Sequence, residues 1–195
     1  SLQAKPDIAW PTVTLFCGGW AIGILLGVLT LELQVLPFCV GAVLSGITGY
    51  FLFSPIHDAI HRSVSKHAWL NDLVALATVN VLLPYASYKM LRWGHMQHHR
   101  FTNEVGKDPD AILTHAWHAP LTLWPFFEVF YLPLYWKHRH ERPRVEMVQV
   151  MAQFVLGLAL LAAVAWVMGP VYLAYWFVAS RITLWLIVAV FVFLP

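Results

Sequence analysis

Charge is scarce in this chain. Asp, Glu, Lys and Arg make up 11% of its 195 residues, where a soluble domain carries about 25%. Together with 59% apolar residues and a mean hydropathy of +0.65, that shortage excludes a disordered chain, a collagen-like one and an ordinary soluble domain. Neither sign of charge dominates: the net value is +2, too small to point to nucleic acid as a partner. Cysteine is nearly absent. Cys17 and Cys39 both lie in apolar runs, which reads as buried thiols rather than a disulfide framework. Also missing are a Gly-rich phosphate loop, a Gly-x-Ser-x-Gly elbow, a His-Glu-x-x-His zincin pair and any Glu-x-x-His. Those absences set aside P-loop phosphate binding, the serine-hydrolase elbow, zincin proteolysis and the carboxylate-bridged metal site of helical bundles. No charged n-region followed by a small-residue cleavage site is evident at the start, and no internal repeat or low-complexity segment occurs.

What the sequence holds in quantity is long uncharged stretches. Residues 9–31 carry no charge, and about 20 apolar residues in a helix cross the hydrocarbon core. Glu32 interrupts, 33–56 is uncharged again, and 147–180 forms a third stretch. Pro37 suits the first turn of a new helix, and Gly169-Pro170 stands where one helix stops and the next begins. The expectation is an all-α integral membrane protein, one domain over 1–195, with four transmembrane helices at about 9–31, 33–56, 147–168 and 170–194, paired as two hairpins.

All ten histidines and ten of the twelve Lys/Arg fall between residues 54 and 146. The hairpin loops carry no basic residue, so this block and both termini are expected on the cytoplasmic side. Two apolar segments inside the block, 73–88 and 111–136, read as interfacial or re-entrant helices. The first is too short to span; the second contains Pro120, Pro125, Pro133 and Glu128. Its aromatics, Trp117, Trp124, Phe126, Phe127, Tyr131 and Trp136, suit headgroup depth.

Two histidine clusters stand out. His57-Asp58-Ala59-Ile60-His61 follows the second span, and His95-Met96-Gln97-His98-His99 lies further along the block. Positions i, i+3 and i+4 share one face of a helix, so each cluster can converge on a metal ion. Asn103 continues the second stripe one turn later. A single i,i+4 pair reads equally well as surface histidines; five imidazoles in two clusters on one membrane face suit a polynuclear transition-metal site. His67, beside Lys66, and His138 and His140, among basic residues, read as solvated surface. His115 and His118, in an aromatic segment, are weaker metal candidates.

His57-Asp-Ala-Ile-His61, then Gly94-His95-Met-Gln-His98-His99-Arg-Phe-Thr-Asn103-Glu104, then Lys107-Asp108-Pro109-Asp110, resembles the membrane fatty acid desaturase and hydroxylase superfamily. The resemblance covers both boxes, their separation and the membrane hairpins. It implies that His57, His61, His95, His98 and His99 are ligands of two non-haem irons that activate O₂ and take hydrogen from an unactivated carbon. It also implies a lipid or fatty acyl substrate. No fused electron-transfer module is present, so a separate donor of the ferredoxin, rubredoxin or cytochrome b5 type is expected. Asp58, Asn103, Glu104, Asp108 and Asp110 are candidates for hydrogen bonds to the free imidazole nitrogens, with helix caps and turns as the competing reading, above all at Asp108-Pro109-Asp110.

The family's third box, another His-x-x-His-His, belongs after the fourth span, and no histidine lies beyond His140. The expectation is a chain cut before that box and inactive alone. Arg181 falls about 11 residues into the fourth span, about 16 Å along a helix, where a charge must face the protein interior or a polar cavity. It is either structurally paired or in contact with a substrate channel. An acyl desaturase is the leading function. The alternative within the superfamily is a hydroxylase or ketolase acting on an alkane, carotenoid or sphingolipid. A metal transporter would place ionisable residues in several spans, where only Arg181 is found, and an inactive remnant is the remaining reading.

Overall fold

The computed structural model describes residues 6–115 and 121–193, and no strand occurs among them. Helix α1 (Trp10–Gly27) carries Pro11 in its first turn, where a missing N–H leaves no bond unmade, and ends in a π-helical turn, Val28–Glu32. Gln34 then takes a left-handed φ of 52°, and the extended Pro37 leads into α2 (Phe38–Ile60). The second apolar helix is therefore displaced from the expected 33–56. Residues 33–37 are a turn, and the helix runs on through His57 to a C-cap at His61. The first histidine pair is thus continuous with the apolar helix rather than beyond it.

A helical hairpin follows, α3 (Ala68–Leu82) and α4 (Tyr88–Phe101). Leu83 precedes Pro84, which disfavours helical backbone, and takes φ −141°. Ser87 restarts the helix by accepting the Lys89 N–H. The hairpin is tied to the end of α2 by buried Asn71. Its Oδ1 accepts the Val64 N–H, and its Nδ2 donates to the carbonyls of Ser65 and His67. Beyond lie α5 (Ala111–His115), a 3₁₀ segment (Trp124–Phe130) and α6 (Tyr131–Lys137), so 111–136 is broken into short pieces. Trp117 and His118 lie outside the described residues, as does the side chain of His115. The extended Pro143 leads into α7 (Arg144–Val167), and Gly169, at φ +99°, separates it from α8 (Pro170–Phe193).

Among the described residues, four helices are long and apolar enough to cross a membrane: Trp10–Glu32, Phe38–Ile60, Arg144–Val167 and Pro170–Phe191. Helices α1 and α7 expose apolar side chains such as Leu25, Val155, Leu156 and Trp166, the surface that lipid covers. Cys17 and Cys39 are free and exposed, which corrects their reading as buried thiols. An apolar run on a peripheral membrane helix turns many of its side chains to lipid instead of protein. Helix α2 is central and packs on α1, α3 and α8. Gly46 permits the α2–α8 approach: a Cβ there would lie 2.6 Å from Ile182, and Thr183 Oγ1 donates to the Gly46 carbonyl at 2.9 Å. The main core, with Ile56, Ile60, Val79, Tyr88, Trp93 and Tyr131, fills the junction of α2, α3, α4 and α6 beside the histidines.

Candidate metal centre

The last turns of α2 and the middle of α4 hold the two histidine clusters in register. Arg92 of α4 donates through Nε to the Ile60 carbonyl at 3.0 Å, and Arg62 pairs with Asp72 of α3 at 3.1 Å. Gly94 lets α4 lie against α6, since a Cβ there would fall 2.4 Å from the Tyr131 ring. With both helices clamped, His57, His61, His95 and His99 bring one ring nitrogen each within 4.8 Å of one another.

Three of those nitrogens form a near-equilateral triangle. His61 Nε2 lies 3.0 Å from His95 Nε2 and 3.1 Å from His99 Nε2, and the last two are 3.0 Å apart. Hydrogen bonding alone does not account for this. Each pair needs one donor and one acceptor, and three nitrogens around a ring cannot alternate. A cation shared by the three lone pairs would resolve the frustration. Nitrogens about 2.1 Å from one ion lie about 3.0–3.4 Å apart, so the spacing of the three nitrogens is compatible with their sharing one ion. Burial, reinforced by His57 and His99, pushes His95 down to about 3. Burial also lowers His61, with His57 and His99 adding to it. Burial thus favours the neutral form of His95 and His61, the form a metal ligand must have. The donor set fits a transition metal of the iron type.

His98 is set apart. Its Nδ1 lies 3.1 Å from both oxygens of Asp108 and 3.5 Å from Asp110. Buried Asp108 also accepts the backbone N–H groups of Asn103 and Asp110 at 2.7 and 2.8 Å. That carboxylate acts as an acceptor for a proton on His98 Nδ1 and so leaves the Nε2 lone pair free for a metal. Tyr131 donates to Asp110 at 2.9 Å; burial raises Asp110 to about 6 and pushes the Tyr131 phenol far up.

A cavity of about 520 Å³ opens beside the cluster, lined by His57, His95, His98 and His99 and otherwise mainly by apolar side chains of α2, α3, α4 and α8. Glu128 is also in its wall, buried and paired with Arg181 at 2.6 Å. Arg181 further donates to the Pro125 carbonyl and the Tyr85 hydroxyl, both at 2.8 Å, and sits over the rings of Phe126 and Phe177. Burial and the Glu128 carboxylate raise the Tyr85 phenol.

The family model described as fatty acid desaturase matches residues 33–195. The chain belongs to the fatty acid desaturase family. An sn-1 oleoyl-lipid 12-desaturase of Synechocystis sp. is 31% identical over 138 residues, which is 69% of this chain and 38% of that protein. A beta-carotene ketolase of Haematococcus lacustris is 43% identical over 60 residues, 30% of this chain and 18% of that protein. An sn-1 acyl-lipid omega-3 desaturase (ferredoxin) of Nostoc sp. is 33% identical over 88 residues, 45% of this chain and 24% of that protein. The chain thus spans well under half the length of these relatives. No solved structure matches it.

In this desaturase-family chain the structure sorts the remaining candidates. Asp108 and Asp110 reach an imidazole. Asp58 instead accepts from Thr12 of α1 at 2.6 Å, and Glu104 pairs with Lys107 at 2.7 Å on the surface. Asn103 does not extend the helical stripe. Helix α4 ends at Phe101, and Asn103 sits at φ 65°, a left-handed position asparagine tolerates, where its backbone serves Asp108. His67 and His140 are exposed, and His138 pairs with Glu141. Sequence reasoning missed Tyr85, Tyr131 and Glu128 as parts of the site. Glu128 left one signal, a lone acid inside an aromatic segment.

Proposed function

We propose that this chain forms the membrane and histidine-bearing part of an O₂-dependent lipid desaturase, with His57, His61, His95, His98 and His99 as ligands of two non-haem irons. Family membership supports the reaction class, and the Nε2 triangle of His61, His95 and His99 is the observation that carries the metal. Bound iron would supply the O₂-derived oxidising power that breaks an unactivated C–H bond, which no side chain provides. The chain's own residues do the rest. Asp108 and Asp110 orient His98, burial keeps His95 neutral, and the apolar wall formed by Phe53, Leu91, Leu184 and Ile187 binds an acyl chain and excludes water. Reducing equivalents come from a separate carrier, and the ferredoxin named for the Nostoc relative makes that carrier the first to test.

The second reading, a ketolase or hydroxylase, is favoured by the 43% identity to the carotene ketolase across 60 residues. One assay tests both. The full-length protein is expressed in membranes with a ferredoxin system, given labelled acyl lipid or carotene, and followed by mass spectrometry with and without O₂. A new double bond in the acyl lipid, with iron co-purifying, is the expected result. A keto or hydroxy product moves the chain to the second reading, and zinc in place of iron without O₂ uptake overturns both.

The histidine block and both termini belong on the cytoplasmic side in this proposal. The turns after α1 and before α8 meet, with the Tyr172 hydroxyl donating to Glu32, and neither carries a basic residue. In a chain with Cys17 and Cys39 replaced by alanine, single cysteines at Glu32 or Gly169 should label from outside intact cells, and one at Lys107 should not. The reverse pattern overturns the orientation.

A further inference from the structure

The cavity that starts at the histidines has a polar far end. Its α8 wall runs from Leu184 to Phe191, about 10 Å of helix at 1.5 Å per residue. Phe191 packs on Phe53 with ring centroids 5.2 Å apart, and Phe53 on His57 at 6.1 Å, so the Phe191 end is the histidine end. Arg181 lies about one turn before Leu184, at the opposite end. Helix α4 repeats the layout: Tyr85 precedes it, and His95 comes about 10 Å later along its axis.

The Glu128 carboxylate at that far end is unevenly served. Its Oε1 accepts from Arg181 and from the Tyr85 hydroxyl, whereas its Oε2 is buried and accepts nothing. A buried acceptor without a donor is costly, and in a ligand site it asks for one. Arg181 already balances the charge. A cationic ligand would therefore gain little there, and an anionic one would meet an unshielded carboxylate oxygen.

We propose that Glu128 Oε2 accepts a hydrogen bond from a neutral hydroxyl of the cavity's ligand, so that the site selects a lipid carrying a hydroxyl at the end remote from the histidines. This rests on the reading that the cavity receives a lipid substrate. The group is a specificity determinant, placed away from the carbon that reacts. Plain hydrocarbon and carboxylate ends are the ones it disfavours.

The test uses the purified full-length protein in detergent and a fluorescent acyl ester displaced by hexadecan-1-ol, by its methyl ether or by hexadecanoate. The alcohol donates a hydrogen bond and the ether cannot. For a bond to a charged acceptor the alcohol should displace at roughly tenfold lower concentration or better, with hexadecanoate no better than the ether. Glu128→Gln, which puts an amide in place of the carboxylate, should bring the alcohol-to-ether ratio close to one. If that variant fails to fold, the paired substitution Glu128→Leu with Arg181→Leu, which leaves no unpaired buried charge, should do the same. Equal displacement by alcohol and ether in the unaltered protein overturns the proposal, as does a preference that survives in the variants. Iron measured on the same samples separates the two readings. An iron-bound protein that binds the probe without preference sinks this inference alone; one that binds neither iron nor any probe sinks the lipid-oxidation reading with it.

Discussion

Alanine at any one of His57, His61, His95 or His99 is expected to abolish bound iron and O₂-dependent product almost completely in the full-length protein, while alanine at His67, His138 or His140 leaves both near the unaltered level. The first four present ligand atoms within 4.8 Å of one another, and the two irons proposed for them would have few donors to spare. The three controls are imidazoles too, but they stand on the surface or beside Glu141. Asp108→Ala should behave differently from either group. It removes the carboxylate that orients His98 without removing a ligand, and such partners are worth roughly 10- to 100-fold in metal affinity. Metal content by mass spectrometry, paired with product formation, reads all eight variants. Iron retained in two or more of the four, or controls that matter as much, would mean that the triangle of nitrogens is not a metal site.

Gly157→Ala should be the most disruptive small substitution in the apolar helices. A Cβ at that position of α7 would lie 1.5 Å from the Pro84 carbonyl oxygen and 3.1 Å from the Tyr85 nitrogen. Those are backbone atoms, which cannot rotate aside. Alanine normally favours a helix over glycine by about 1 kcal/mol, but here α7 or the 84–87 turn must move, and forced overpacking costs about 1–3 kcal/mol or more. The movement also breaks the bonds that Gln153, one turn away, makes with Asn80, Ser87 and the Tyr88 N–H. Because Tyr85 holds both Glu128 and Arg181, the damage reaches the cavity. Folded yield by size-exclusion profile and Tm should both fall. Gly18→Ala and Gly23→Ala, with nothing within 4 Å of the added carbon, should leave yield and Tm unchanged or slightly raised. A Gly157→Ala protein with an unchanged Tm would show that α7 does not pack on this turn.

Much of this architecture follows from the linear sequence, because a bilayer imposes simple rules on a chain. A helix crossing hydrocarbon must be long and uncharged, and it breaks at Gly-Pro, so the four apolar helices and the Gly169-Pro170 boundary are legible. The histidine boxes are legible for a similar reason. Helical spacing is local, and both His57/His61 and His95/His99 lie on single helix faces. What the sequence could not decide is which groups meet across elements. Asp58, Asp108 and Asp110 are all candidates for an imidazole, and the turn reading is strongest at Asp108-Pro109-Asp110, yet Asp58 turns to Thr12 while the fold brings Asp108 and Asp110 to His98. The end of α4 at Phe101, with Asn103 in a left-handed conformation, took Asn103 out of the stripe that periodicity assigns it. Arg181 is legible as a charge in need of an interior partner, but the partner lies 53 residues away in an aromatic segment that reads as an interfacial or re-entrant helix. Periodicity reports which face a residue occupies on its own helix. Pairing a buried cation with one carboxylate among ten acidic residues depends on how helices pack, and only the tertiary structure settles that.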